Sequence, residues 1–214
     1  MSAIYETDKL LAEYLLFHFG TADEILPPSH TWPEGMRGAL DFPVRTAAHF
    51  TEGNVSRSLD LGCAVGRSAF ELSRSCQEVI GIDFSHAFIA AAQALAGGAS
   101  IPYERLEEAS QVTPLVARLP AGIDGRNLRF LQGDAMHLPP DLGSFDRVHA
   151  ANLLCRLPEP ARLLARLPEL VSPGGELILA TPCTWLAEFT PPENWPQSGT
   201  FEWLESQLSE DFSL

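Results

Sequence analysis

Lysine is nearly absent from these 214 residues. Lys9 stands beside 13 arginines (14 basic residues less one) against 28 acidic residues, and the formal net charge is −14. A surface of that sign repels phosphate backbones and anionic headgroups, so neither nucleic acid nor a membrane is an expected partner. No apolar run reaches the roughly 18 residues of a membrane span. The first 17 residues lack a basic leader and are broken by charge. The four cysteines, Cys63, Cys76, Cys155 and Cys183, show no close paired spacing. A reduced, cytoplasmic protein without a metal site is expected. Repeats and low-complexity tracts are also missing. So are the dinucleotide fingerprint G-x-G-x-x-G and the Lys-Ser/Thr ending of a P-loop.

Apolar residues make up 45% of the chain and charged residues 20%, enough to bury a sizeable core in one domain. Thr7 can cap a helix whose apolar positions Leu10, Leu11, Tyr14 and Leu15 lead to a stop at Gly20. Pro27, Pro28 and Pro33 mark a loop, and a short helix is expected over residues 43–51, with Pro43 in its first turn. From residue 56 strands and helices alternate. Strands are expected at 58–61, 78–83, 128–132, 145–150 and 176–180. Helices are expected at 66–75, after the cap Ser85 up to Gly97, at 158–170 and near 201–208. Such alternation predicts an α/β, Rossmann-like, doubly wound and mostly parallel sheet. Residues 1–55 form a helical segment ahead of it, and 56–214 form the sheet domain. Residues 100–127 exceed an ordinary connection and predict an insertion with structure of its own.

Four motifs close the predicted strands on one edge, where such sheets bind ligands. In Leu59-Asp60-Leu61-Gly62-Cys63-Ala64-Val65-Gly66 a strand gives way to a helix. Gly62 lets the backbone approach a ligand, and Gly66 lets the helix start tight against the sheet. Asp83, ending Val79-Ile80-Gly81-Ile82-Asp83, follows the glycine turn by about 20 residues, the place of a ribose-binding carboxylate. Read blandly, Asp83 is a turn residue. Gly133-Asp134-Ala135 offers an acceptor for an adenine amino group, and Phe145-Asp146-Arg147-Val148 leads to Asn152.

Together with Pro173-Gly174-Gly175, these motifs resemble the class I S-adenosylmethionine-dependent methyltransferases over about residues 56–181. The resemblance implies S-adenosylmethionine as cofactor, with S-adenosylhomocysteine as product. It places Asp60, Gly62, Cys63, Ala64, Gly66, Asp83, Phe84, Asp134, Ala135 and Asn152 at the cofactor. Cys63 reads as small packing, not as a nucleophile. That class normally ends in an antiparallel hairpin of two further strands. Only 34 residues follow Ala180, four of them proline (Pro182, Pro191, Pro192 and Pro196). Either the hairpin lies outside this sequence or the fifth strand is left as an edge that invites self-association.

A second likeness covers nearly the whole chain. Tyr5-Glu6-Thr7-Asp8, Tyr14-Leu15-Leu16-Phe17-His18-Phe19-Gly20, Phe42-Pro43-x-Arg45, Ala151-Asn152-Leu153-Leu154-Cys155-Arg156-Leu157 and Thr181-Pro182-x-Thr184-Trp185-Leu186-x-Glu188 resemble the methyltransferase of ovothiol biosynthesis. That family methylates an imidazole nitrogen of 4-mercaptohistidine (5-thiohistidine), alone or fused to an iron-dependent sulfoxide synthase. Met1 and the lack of anything like the iron domain favour the stand-alone form. The likeness implies a small-molecule acceptor held by Tyr5, Tyr14, His18, Arg45, Trp185, Glu188, Phe189 and Trp195, with Asn152, Arg45 and Glu188 nearest the chemistry. Several have a plainer reading. His18 is a packed helix histidine, Arg45 a solvated arginine, and the tryptophans core. Two other functions stay open: methyl transfer to a quinone, phenol or carboxylate, and a cofactor-binding partner module without turnover.

Overall fold

The structure is a computed structural model and describes residues 3–213. After a 3-10 turn at Ala3–Glu6, helix α1 (Asp8–Phe19) starts where the Thr7 hydroxyl accepts the Leu10 amide, and it ends at Gly20 as the sequence predicts. A short α2 (Ala22–Ile25) follows under a Thr21/Glu24 capping box. Helix α3 (Phe42–Ala47) is shorter than expected: Ala48 and His49 already form a turn, and the chain bends further at Gly53, φ 136°.

Then come β1 (Val55–Leu61), α4 (Arg67–Leu72, extended by a 3-10 turn Ser73–Ser75), β2 (Cys76–Asp83) and α5 (His86–Ala96), with Ser85 capping α5 as expected. The insertion proves to be an antiparallel hairpin, β3 (Ile101–Glu108) with β4 (Gln111–Ala117), packed against α1 and α5. Next are β5 (Leu128–Gln132), β6 (Phe145–Ala151), α6 (Pro160–Leu170), β7 (Val171–Ala180) and α7 (Thr200–Leu208).

The main sheet has the order β5-β2-β1-β6-β7, parallel throughout. This is the Rossmann-like architecture that the alternation predicts. Parallel strands buried on both faces need a core on each side. Leu15, Phe50, Phe70, Phe88 and Phe130 fill one core, under α1, α3, α4 and α5. Leu59, Leu61, Phe145, Leu163, Leu167 and Leu208 fill the other, under α6 and α7. Among the described residues β7 pairs only with β6, and Leu177, Ile178 and Leu179 are half-buried. Helix α7 packs on α6, through the buried Leu208. The strand order reverses between β1 and β6, so the carboxyl ends of β1, β2, β5 and β6 open into one crevice.

Candidate active site

The glycine turn builds the crevice floor. Gly62 and Cys63 both donate their amides to the Ile82 carbonyl, at 2.8 and 3.1 Å, which ties the turn to β2. Gly62 is left-handed, φ 69°, and a Cβ there would stand 3.0 Å from a Leu153 methyl. Gly66, φ 90°, lies against the Phe130 ring, where a Cβ would come within 2.8 Å. Helix α4 therefore starts hard against the sheet. Two residues with side chains, Ala64 at φ 47° and Asn152 at φ 56°, also adopt the left-handed region on the crevice wall. Such strain persists where the surroundings over-determine it, commonly at ligand sites.

The cavity has a volume of about 330 Å3, within the small-ligand range. Asp83 sits at its side. One carboxylate oxygen accepts the Ala64 amide and the other the Ser85 amide, both at 2.9 Å. Burial raises the Asp83 pKa, and these two amides oppose the rise. Each oxygen keeps a lone pair for a further donor, which suits a ribose diol. The backbone cradle, Asp83 and the half-exposed Phe84 thus fit a nucleoside. Cys63 lines the wall with its thiol pushed well up, by burial first and by the Asp83 and Asp60 charges next. It packs and stays protonated.

One end of the cavity is aromatic. Tyr14 stacks on His18 with ring centres 5.7 Å apart and leans on Phe88 at 4.6 Å. Tyr5 meets Tyr14 edge-on at 6.4 Å. Burial pushes the Tyr14 hydroxyl up to about 12 and lowers His18 to about 3, with the Arg67 charge as a second cause for His18. Both rings are neutral around pH 7. Arg156 lines the same end beside Tyr5. Its guanidinium donates to the carbonyls of Cys155 (3.1 Å) and Thr184 (3.2 Å) and covers the Phe189 ring, with no carboxylate among these partners.

Of the residues expected from sequence, Asp60, Gly62, Cys63, Ala64, Asp83, Phe84, Ala135, Asn152, Tyr5, Tyr14 and His18 come together around this cavity. Gly66 stands behind it. Asp134 is turned into its own loop, its oxygens taken by the Met136 amide and His137 Nδ1, each at 2.9 Å. Arg45 points away, because α3 buries Pro43, Thr46 and Ala47 and so turns Arg45 outward onto the Leu40 and Ala39 carbonyls. Glu188 is exposed outside the cavity, on a turn anchored by the buried Thr190 hydroxyl donating to the Leu157 carbonyl. Trp185 belongs to the core under α7, donating to Thr200 Oγ1 and meeting Trp203 edge-on. Trp195 donates to the Thr190 carbonyl, away from the cavity. Phe189 is not on the cavity wall and touches Tyr5 and Arg156, which are.

Sequence reasoning missed Arg156, Glu13 and His149, all on the cavity wall. Arg156 lies four residues after Asn152, inside the Ala151–Leu157 motif. His149 lies opposite Asp60 in the β1–β6 register, a pairing visible only once the strands are aligned.

The family described as Methyltransferase domain matches residues 59–179. A demethylmenaquinone methyltransferase of Lactococcus lactis is 32% identical over 123 residues, 56% of this chain and 39% of that protein. A trans-aconitate 2-methyltransferase of Deinococcus radiodurans is 33% identical over 126 residues, 58% of this chain and 37% of that protein. The match thus spans under two fifths of these relatives' length. Among solved structures, phosphoethanolamine N-methyltransferase 1 of Haemonchus contortus, in complex with phosphoethanolamine and S-adenosylhomocysteine, aligns with a TM-score of 0.51. That alignment has 17% identity and covers 86% of this chain and 34% of that one, which shows likeness of fold.

Proposed function

This chain belongs to the Methyltransferase domain family and uses S-adenosylmethionine, and from that premise we propose that it methylates an imidazole nitrogen of 5-thiohistidine. The observation that carries the reading is Arg156. In a chain with twice as many acids as bases, it lines the aromatic end of the cavity with no acid among its hydrogen-bond partners in the described residues. A cation so placed suits the carboxylate of an incoming ligand. Glu13, on the same wall, suits an ammonium. These two take the roles that Arg45 and Glu188 hold in the sequence reading. The five whole-chain motifs add to the support.

The cofactor supplies a methyl group already activated on a sulfonium, so the protein need only align and desolvate the partners. Asp83 and the glycine turn hold the nucleoside end. Asn152 lines the same cavity, and its amide can donate to or accept from the acceptor ring. A neutral imidazole nitrogen attacks with its lone pair. The new N–C bond forms as the S–C bond breaks, and the ring proton leaves for water. The acceptor's own thiolate enriches the ring, so no strong base is required. His18, held neutral, and Tyr14, held protonated, are poor bases at neutral pH. Residues 1–55 act as the lid and 56–214 as the transferase domain of a cytoplasmic protein.

Arg156→Ala should raise the Michaelis constant for 5-thiohistidine at least tenfold, the scale of a lost charged hydrogen bond. Glu13→Gln should raise it less, and neither should change affinity for S-adenosylhomocysteine. A second reading, a carboxylate acceptor without an ammonium, is favoured by the exposure of Glu13 and its pairing with Lys9 at 3.9 Å. Sensitivity to Arg156→Ala alone selects that reading. Insensitivity to both variants selects a quinone or phenol.

A further inference from the structure

Every hydrogen bond that Arg156 makes to backbone or to Cys155 among the described residues leaves from one nitrogen. Nη1 donates to the Cys155 and Thr184 carbonyls at 3.1 and 3.2 Å and meets Cys155 Sγ at 3.4 Å. The guanidinium is also held 4.8 Å over the centre of the Phe189 ring. Anchored in this way, the planar fork keeps its Nη2–Nε edge, a pair of donors that matches a carboxylate, for other partners. The Tyr5 hydroxyl stands beside the same guanidinium. Burial raises its pKa, and the Arg156 charge and a hydrogen bond from Arg156 oppose the rise. A phenol oxygen that accepts from Arg156 has its own O–H left to donate. Tyr5 is fixed through both backbone and ring. Its carbonyl accepts the Ser85 hydroxyl at 2.8 Å. Its ring lies 6.4, 6.0 and 6.3 Å from those of Tyr14, Phe88 and Phe189, and Phe189 is the ring that Arg156 covers. Both Tyr5 and Arg156 line the cavity. Neighbouring donors, one of them cationic, match an anion that can accept from each at once.

We propose that the Tyr5 hydroxyl and the Nη2–Nε edge of Arg156 form one seat for the acceptor's carboxylate, with Tyr5 as the residue that makes the cavity select an amino acid over the corresponding amine. This rests on the reading of Arg156 as an acceptor-binding cation. An amine on the same ring would leave the guanidinium and the phenol without their shared partner, and donors left unpaired in a closed site are costly.

The test is calorimetric titration of 5-thiohistidine, and of the amine made by removing its carboxylate, into the full chain saturated with S-adenosylhomocysteine. S-adenosylhomocysteine is titrated separately. The parent should bind the amino acid about tenfold or more tightly than the amine. Tyr5→Phe keeps the ring and removes only the hydroxyl. It should weaken 5-thiohistidine about tenfold and leave the amine and S-adenosylhomocysteine unchanged. That loss should largely vanish when Arg156 is already alanine, because one carboxylate serves both residues. Equal binding of amino acid and amine by the parent overturns the proposal, even if no variant folds. So does an equal loss of both in Tyr5→Phe, which would make the hydroxyl structural, or a loss confined to S-adenosylhomocysteine, which would place it on the cofactor. A loss in Arg156→Ala with none in Tyr5→Phe overturns the shared seat and leaves the acceptor reading standing. A parent that binds neither acceptor overturns that reading and the seat with it.

Discussion

Burial, not sequence position, decides what His18 can do. Its Nδ1 is buried with no hydrogen-bond partner among the described residues, and its pKa falls to about 3 against 6.5 for a free histidine. The unfolded chain therefore binds a proton below about pH 6.5 that the folded chain refuses until about pH 3. Stability from this residue is complete above pH 6.5 and declines as pH falls, by at most about 1.4 kcal/mol per pH unit. His18→Phe should flatten that decline in denaturant melts between pH 4 and 6.5. An unchanged slope would contradict the burial. Asp83 gives the matching prediction for the ligand. Asp83→Ala removes an acceptor already oriented by two amides, and cofactor affinity should fall by about 1–3 kcal/mol. Calorimetry showing unchanged affinity would remove Asp83 from the ribose. At this scale the sequence is legible where the backbone dictates the residue, as at Gly62 and Asp83. It is opaque where helix phase decides. Arg45 and Pro43 are two residues apart, yet only Pro43 reaches the cavity, and the motif that contains both gives no sign of which.

At the scale of elements, the N-terminal segment is latched across the start of α5. The Glu6 carboxylate accepts the His86 and Ala87 amides at 2.9 and 3.1 Å, and the Ser85 hydroxyl donates to the Tyr5 carbonyl at 2.8 Å. Negative charge on a helix N-terminus is worth about 0.3–1 kcal/mol when exposed. Glu6→Gln should therefore cost under about 1 kcal/mol in stability while speeding cofactor release, because Tyr5 rides on the same latch. Stopped-flow displacement of bound S-adenosylhomocysteine reads the release rate, and an unchanged rate would mean that the latch does not govern the lid. The five parallel strands and the Ser85 cap follow the sequence closely. The β3–β4 hairpin did not declare itself, for a physical reason. Its inner face carries Tyr103 and Leu115, and its outer face carries Leu106, Val112 and Val116, 58%, 42% and 41% exposed. With apolar residues on both faces, the two-residue alternation that marks a strand is erased.

Among the described residues strand β7 is an open sheet edge on a strongly acidic body. Strand β7 has half-buried Leu177, Ile178 and Leu179 and one hydrogen-bonded neighbour among the described residues. Edge strands of this kind pair with other chains unless they are covered, while a net charge of −14 opposes close approach. Self-association should thus rise with salt, as screening removes the repulsion. Light scattering at low and high ionic strength reads it, and a monomer at both would show the edge to be protected. No helix among the described residues is long and apolar enough to cross a membrane. Methyl transfer to 5-thiohistidine is proposed for the cavity at the strand ends. It is tested most directly by supplying the chain with S-adenosylmethionine and equal concentrations of 5-thiohistidine, histidine, a quinol, a phenol and an aliphatic carboxylic acid, and identifying products by mass and NMR. One methylated product is expected, 5-thiohistidine carrying its new methyl on a ring nitrogen, together with S-adenosylhomocysteine. Methylation of another acceptor, methylation on sulfur, or cofactor binding with no product would contradict it.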